Sequence, residues 1–426
     1  VWIAIALARA TAQCPGDPQD WISELSQIEN SDSSLTKKIA ELQTLESRHR
    51  NCTKKNDSIS ARLLHRLGDL CRLNGDFEKG IELTSAAAAI NKTSDPGASH
   101  SYLTHSYYNL GLFHLLLGLN RNAHLYFDSC VTVGTQYTKK VFIALMALEK
   151  KAFISFQTGD YEQSIRSSDY GITIARQHNL YDYEVLLLIQ KAQAESGLLR
   201  VDEASATIRK AMAIISEHHL DSWLPNAYSV YAHLLGAQKD FGNAIAHYKM
   251  AYNLNMSQGN TAQAARDLND LALLYDKEIN NPDSAIYNYQ KVLVIAKSVG
   301  DPSLLSMTCN NIGQVYWHKG EYQSSLKYYQ LGLTASINSF NDTITFENPS
   351  GRALQSVGNA YIPSALLWNK GDAFLGLYRM THNTDDLSTA IAAYRMGDRM
   401  VDQMRWSQQG EQSKLFWRER TKQWYK

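Results

Sequence analysis

The feature that most restricts the fold of this chain is the return of a small residue at a nearly fixed interval. Gly68, Gly111, Ala152, Ala192, Ala232, Ala272 and Gly313 are separated by 43, 41, 40, 40, 40 and 41 residues. The fullest copy of the repeated unit is the stretch from Cys309 to Gly332, CNNIGQVYWHKGEYQSSLKYYQLG. There Gly313 and Tyr316 lie on one helix, Gly320 and Tyr322 mark a turn, and Ser325, Tyr329 and Gly332 give a second helix a small, large and small inner face. This is a helical hairpin: axes approach to about 8–10 Å only where the residues at the crossing are small. One hairpin cannot bury its own apolar face, so copies must stack on either side.

The second helices and the turns repeat with the same regularity. The second helices carry Phe77 with Gly80, Ala123 with Phe127, Tyr161 with Gly171, Ala204 with Ala211, Ala244 with Tyr248 and Ala251, and Ala285 with Tyr289. The turns read NGDFEKG from Asn74, TGDYEQS from Thr158, QKDFGNA from Gln238 and KGEYQSS from Lys319.

These residues resemble the tetratricopeptide repeat (TPR), and the resemblance covers most of the chain. It implies an all-α fold, a right-handed TPR-type α-solenoid of antiparallel helix pairs. The period exceeds the usual ~34 residues, and about six added residues lengthen each hairpin by roughly 9 Å of helix. The chain is therefore similar to the long-helix TPR subclass of kinesin light chains, polarity-complex scaffolds and bacterial peptide sensors.

The organisation expected along the chain follows from the repeat. Residues 1–12, VWIAIALARATA, form an apolar run ending in a small-x-small pattern and are expected to be part of a signal peptide, placing the protein in an exported, periplasmic or extracellular location. Residues 13–55 are expected to form a helical cap of two helices, with Ser33 or Ser34 as an N-cap. Residues 56–336 hold seven repeats, 337–358 an insertion loop rich in Asn, Thr, Pro and Gly, 359–406 an eighth, degenerate repeat around Gly371, and 407–426 a helical connector. Of the five cysteines, Cys14 and Cys52 are free to pair, whereas Cys71, Cys130 and Cys309 fall where small core residues belong. Pro96, Pro225, Pro282 and Pro302 lie between helices or in first turns, where a missing N–H is harmless.

No catalytic signature stands out. The chain lacks a Gly-rich phosphate loop, HExxH, paired CxxC and G-x-S-x-G. Its 42 basic and 42 acidic side chains cancel, which gives no reason to expect nucleic acid or an anionic membrane as partner, and beyond the first residues no run reaches the ~18–20 apolar residues that span a bilayer. His218 and His219 fall at a helix end as capping residues, and Asp385 and Asp386 open a helix, where carboxylates favour its dipole. The expectation is a non-enzymatic chain with no cofactor and no metal site.

The inner face of the first helices is the candidate site, with a protein or extended peptide as partner. Tyr108 and Asn109, Asn269 and Asp270, and Asn310 and Asn311 stand three and two positions before the small residue of their repeats, joined further along by Gln314 and Trp317. Asn offers a donor and an acceptor, so stacked Asn side chains either bind the backbone of an extended peptide or bond neighbouring helices. In long-helix TPR proteins this pattern resembles an asparagine ladder. Glu149 and Lys150, Ile189 and Gln190, and Ser229 and Val230 interrupt it. His105, Phe153, Phe156, His233 and Trp368 are further inward candidates.

The stretch from Asp386 resembles the helices that precede the CHAT domain, a caspase-like module, in bacterial TPR-CHAT proteins. That resemblance implies a sensing or regulatory arm whose His–Cys dyad would lie beyond Lys426. The alternative is the periplasmic sensor region of a histidine kinase or transcription regulator.

Overall fold

The computed structural model describes residues 14–15, 17–53, 57–93, 100–355 and 361–407. The expected signal peptide, Pro96 and nearly all of the expected connector lie outside them. The described residues are helical, without a strand, and divide into two compact units: Val1–Ile154 with Thr173–His178, and Ser155–Ile172 with Asn179–Lys426.

In the first unit, α1 (Pro18–Asn30) and α2 (Leu35–Thr53) precede the hairpins of α3 (Ser58–Asn74) with α4 (Phe77–Thr93) and α5 (His100–Leu116) with α6 (Asn120–Thr132). Asp17 and Asp57 cap α1 and α3 by accepting backbone N–H groups of the first turn. Trp21 and Leu25 of α1 pack with Leu42 and Leu45 of α2 on Leu63 and Leu67 of α3, closing the apolar end of the stack. Cys14 is disulfide-bonded to Cys52, a sequence separation of 38. Cys71, Cys130 and Cys309 are free and buried.

Helix α7 (Val141–Gln157) and α8 (Tyr161–Gln177) contribute to both units. The second unit continues with α9 (Tyr181–Gly197), α10 (Val201–Glu217), α11 (Leu224–Ala237), α12 (Phe241–Ser257), α13 (Thr261–Leu273), α14 (Pro282–Val299), α15 (Pro302–His318) and α16 (Tyr322–Ser336). A short α17 (Gly351–Gln355) and the long pair α18 (Tyr361–Thr381) and α19 (Thr384–Ser407) complete it. Each of α9 to α16 packs on the next, and the first helices also touch one another: α9 meets α11, α13 meets α15, and α15 meets α18.

The small residues sit where hairpins cross. A Cβ added at Gly313 would lie 2.3 Å from the Tyr329 ring, one at Gly371 2.6 Å from Tyr394, and one at Gly111 2.5 Å from Phe127. A second set of crossings joins consecutive repeats, where Gly197 faces Tyr161 and Gly376 faces Tyr322, at 2.7 and 2.6 Å. Ala152, Ala192, Ala232 and Ala272 are fully buried. Ser325 completes the Gly313 crossing by donating to its carbonyl oxygen at 2.8 Å.

From Ile337 to Ser350 the chain has no helix, but its polar composition hides how much of it is buried. The segment is followed by α17, and Ile337, Phe340, Ala353 and Leu354 are buried in the core of α16, α18 and α19. Its backbone is tied down by Lys370, a fully buried lysine on α18 whose Nζ donates to Gln330 Oε1 (2.7 Å), the Glu347 carbonyl (2.6 Å) and Asn348 Oδ1 (2.9 Å). Three oxygen acceptors match the three N–H bonds of an ammonium, so one side chain substitutes for the water that a solvated loop would use.

Candidate functional site

Two kinds of polar residue occupy the first helices. The first bonds helix to helix. Asn311 of α15 donates to Asn269 Oδ1 of α13 at 3.2 Å, and Asn369 of α18 donates to Asn310 Oδ1 of α15 at 2.8 Å. In the first unit Asn109 of α5 donates to Asp69 Oδ1 of α3 at 2.9 Å, while the Tyr108 ring lies 5.8 Å from Phe127. Gln314 accepts from Lys277 Nζ at 3.3 Å. Trp317 packs against the core of α16, α18 and α19, and its indole N–H is buried without a partner. Trp368 packs on Gly397 and Tyr394.

The second kind lines open space. A depression of ≈510 Å³ lies across α9, α11 and α13, lined among others by Gln190, Gln193, Asn226, Ser229, His233 and Asp270. Another, of ≈440 Å³, shares His233 and Asp270 with it and adds Tyr248, Leu274, Lys277 and Glu278. A third, of ≈410 Å³, shares Lys277 and is bounded by Asp276, Asn280, His318 and Lys319. The three adjoin as one trough within the second unit. A single π-helical turn, Leu274–Glu278, extends α13 and supplies residues to two of them; such turns redirect side chains and recur at functional sites.

Of the expected residues, Asp270 lines the trough, in both larger depressions, and Phe156 and His233 line its wall. Asn269, Asn310, Asn311 and Gln314 form the helix-to-helix set beside it. Phe153 is exposed. Of the residues read as interruptions of the ladder, Ile189, Gln190, Ser229 and Val230 wall the ≈510 Å³ depression, whereas Glu149 and Lys150 do not. Gln193, Asn226 and Glu278 were not anticipated. Their signal is positional: Gln190 and Gln193 stand two before and one after Ala192, Asp270 two before Ala272, and Gln314 one after Gly313. Steps of three keep one helix face, so the stripe is legible once residue identity is ignored.

The acidic residues beneath the trough are shaped by burial. Asp267, fully buried, accepts from Ser229 Oγ at 2.8 Å and Asn255 Nδ2 at 2.7 Å, joining α11, α12 and α13. Burial pushes its carboxyl up to about 6, with these hydrogen bonds opposing. Asp270 is pushed up to about 7, again by burial, with a hydrogen bond from Asn269 opposing and Asp267 adding to the rise. Elsewhere His218 stacks on Tyr181 with ring centroids 3.6 Å apart, and His219 is exposed in the turn that follows. Among the described residues no group of three or more His, Cys, Asp or Glu side chains is placed to hold a metal, and no helix is long and apolar enough to cross a membrane.

Hairpins of this kind, packed through small residues and joined along their first helices, define a TPR-like helical repeat fold. Solved structures similar to it include a Rap protein complexed with competence and sporulation factor, 14% identical with a TM-score of 0.51, the match covering 92% of this chain and 98% of that one. The apo form of RapI matches over 65% of this chain and 97% of that one, at 10% identity and a TM-score of 0.52. Aspartyl phosphate phosphatase F from Bacillus subtilis matches over 78% and 87%, at 10% identity and 0.52. At these identities the likeness is one of fold. Residues 199–340 match the family model of the soluble NSF attachment protein, SNAP. No curated protein matches the sequence.

Proposed function

We propose that this chain is a binding module that holds an extended peptide segment in the trough across α9, α11, α13 and α15. The observation that carries this reading is the run of three adjoining depressions, the first of them walled by Gln190 and Gln193 of α9 and by Asn226 and Ser229 of α11, amide and hydroxyl groups at steps of three along the first helices. Amides satisfy peptide N–H and C=O groups whatever the side chains, and an extended segment reaches about 3.3 Å per residue, so it can touch several repeats at once. The Rap structure solved with competence and sporulation factor supports the reading, because it has this fold and is a complex.

The test uses a pool of random nonapeptides, N-acetylated and C-amidated, with capture read by mass spectrometry. The wild-type chain is expected to retain a subset, and Gln193→Ala with Asn226→Ala to weaken retention about tenfold without changing the melting temperature. Retention equal to that of blank resin would sink the reading.

The wider setting is part of the same proposal. We read the chain as a non-enzymatic sensing or regulatory arm of an exported protein. The Cys14–Cys52 disulfide supports an oxidising compartment, and the similarity of the Asp386 stretch to the helices before a CHAT domain supports a caspase-like module as the element controlled. Ligand contact with several repeats would shift the population of repeat packings, which the last hairpin transmits. Reading the gene past Lys426 tests this: a His–Cys pair in an α/β context is expected, and about 20 apolar residues there would favour the sensor of a histidine kinase instead.

A further inference from the structure

The trough has a chemical polarity that an amide-lined groove does not require. Asp270 lies where the two larger depressions meet and is half-buried, so a ligand can reach it. Its one hydrogen-bond donor is the neutral Asn269 amide at 3.4 Å, and no Lys or Arg lies within ion-pair distance of it among the described residues; Arg266 acts on it only from further off and pairs with Asp301 at 3.5 Å. Glu278, exposed at the other end of the second depression, is likewise without an ion-pair partner. The lysine nearby is engaged elsewhere: Lys277 Nζ lies 2.9 Å from Asp276 Oδ2 and 3.3 Å from Gln314 Oε1. His233, on the wall shared by both depressions, is held below its ordinary value by burial, with Glu278 opposing, so it adds little positive charge at neutral pH.

Two carboxyl groups therefore face the two larger depressions, and Lys277, the lysine on their walls, is already neutralised; Lys319, on the wall of the third, is likewise held by Asp283 and Glu321. A half-buried carboxyl without a cation costs free energy that an incoming cation recovers. Resting on the peptide-binding reading above, we propose that the trough selects peptides bearing a cationic nitrogen, seated at Asp270 with Glu278 as the outer member of the pair. The cation comes from a Lys or Arg side chain or from a free amino terminus, and the two sources share this chemistry. The carboxyl of Asp270, pushed up to about 7 in the empty trough, is drawn back to the carboxylate when a cation sits beside it.

The experiment uses two pools of random nonapeptides, one N-acetylated and one with a free amino terminus, both C-amidated. If the cation is a side chain, peptides retained from the acetylated pool are enriched in Lys and Arg. If it is the amino terminus, the free-amine pool is retained more strongly without that enrichment. Asp270→Asn should remove either preference, read as about a tenfold loss of the preferred peptides relative to neutral ones. Glu278→Gln, at an exposed position, should lower the preference by about threefold. Retention by the wild-type chain with no preference for a cation in either pool overturns this inference and leaves peptide binding standing. Retention of nothing above blank resin overturns both.

Discussion

Two stretches of the first-helix layer in the second unit are built from similar side chains and do opposite things. Across α13, α15 and α18, Asn269, Asn311, Asn310 and Asn369 bond one another from helix to helix. Across α9, α11 and α13, Gln190, Gln193, Asn226 and Ser229 line a depression of ≈510 Å³. The first stretch has the more uniform sequence and the second the more irregular. Uniform amides at one height suit each other, and a set that satisfies itself presents less to a ligand; substituting Gln, Ser and Val breaks the mutual bonding and leaves room.

The contrast can be broken or sharpened by substitution, and the largest effect is expected just beyond the bonded stretch. Lys370→Met would leave Gln330 Oε1, Asn348 Oδ1 and the Glu347 carbonyl buried without their donor. A loss of about 3 kcal/mol in urea unfolding is expected; a change under about 1 kcal/mol would show that the segment around Glu347 stands without its anchor. Next comes Gly313→Ala, whose Cβ would meet the Tyr329 ring at 2.3 Å. It should cost about 2 kcal/mol by overpacking.

Within the two stretches the effects should trade places. Asn311→Ala removes the donor to Asn269, so about 1 kcal/mol of stability should go and peptide retention should change little. Gln193→Ala should do the reverse. If Asn311→Ala abolished retention at unchanged stability, the ladder would be the ligand surface after all and the contrast would collapse.

A pH titration separates the anchor from the rest. Burial pushes Lys370 down to about 7 from the ordinary lysine value of 10.5, with Glu347 and Asp342 opposing. Between those values the unfolded chain binds a proton that the folded chain sheds, so stability should rise as pH is raised from about 7 to 10 and level off below about 7, where both states hold the proton. In Lys370→Met this component should be absent. The smallest effect expected is at Leu199, which is 85% exposed and holds φ 60 in the turn between α9 and α10. Leu199→Gly should stabilise by about 0.5 kcal/mol, relief of the left-handed conformation being partly offset by the greater freedom of glycine in the unfolded chain, read as a higher melting temperature.

The hairpins were legible in the sequence because packing dictates them. Gly111, Gly313 and Gly371 must be small where Phe127, Tyr329 and Tyr394 cross, and that demand recurs at each layer with the length of the hairpin. The turns were legible for the same reason, since Gly75, Gly159 and Gly320 hold positive φ. The site was less so. Asn at a repeated position reads as a ladder whether its partner is a ligand or the next helix, and only coordinates separate Asn311 bonded to Asn269 from Gln193 beside open space. Burial of Ile337, Phe340 and Leu354 was hidden because the same segment is rich in Asn, Thr and Pro, and the lysine that compensates them lies on another helix.

The bridge from Cys14 to Cys52 closes a loop with a sequence separation of 38, and in a chain-entropy description a tether of that size restrains the unfolded ensemble by about 4 kcal/mol. Repeat arrays melt from their ends, because a terminal layer has a neighbour on one side only. The staple ties the segment just before α1 to the end of α2, the two helices that cover the first repeat with Trp21, Leu25, Leu42 and Leu45. A reductant would therefore act as a selective solvent for the amino-terminal layer, lowering the temperature at which it frays while the crossings of Gly313 and Gly371 still hold.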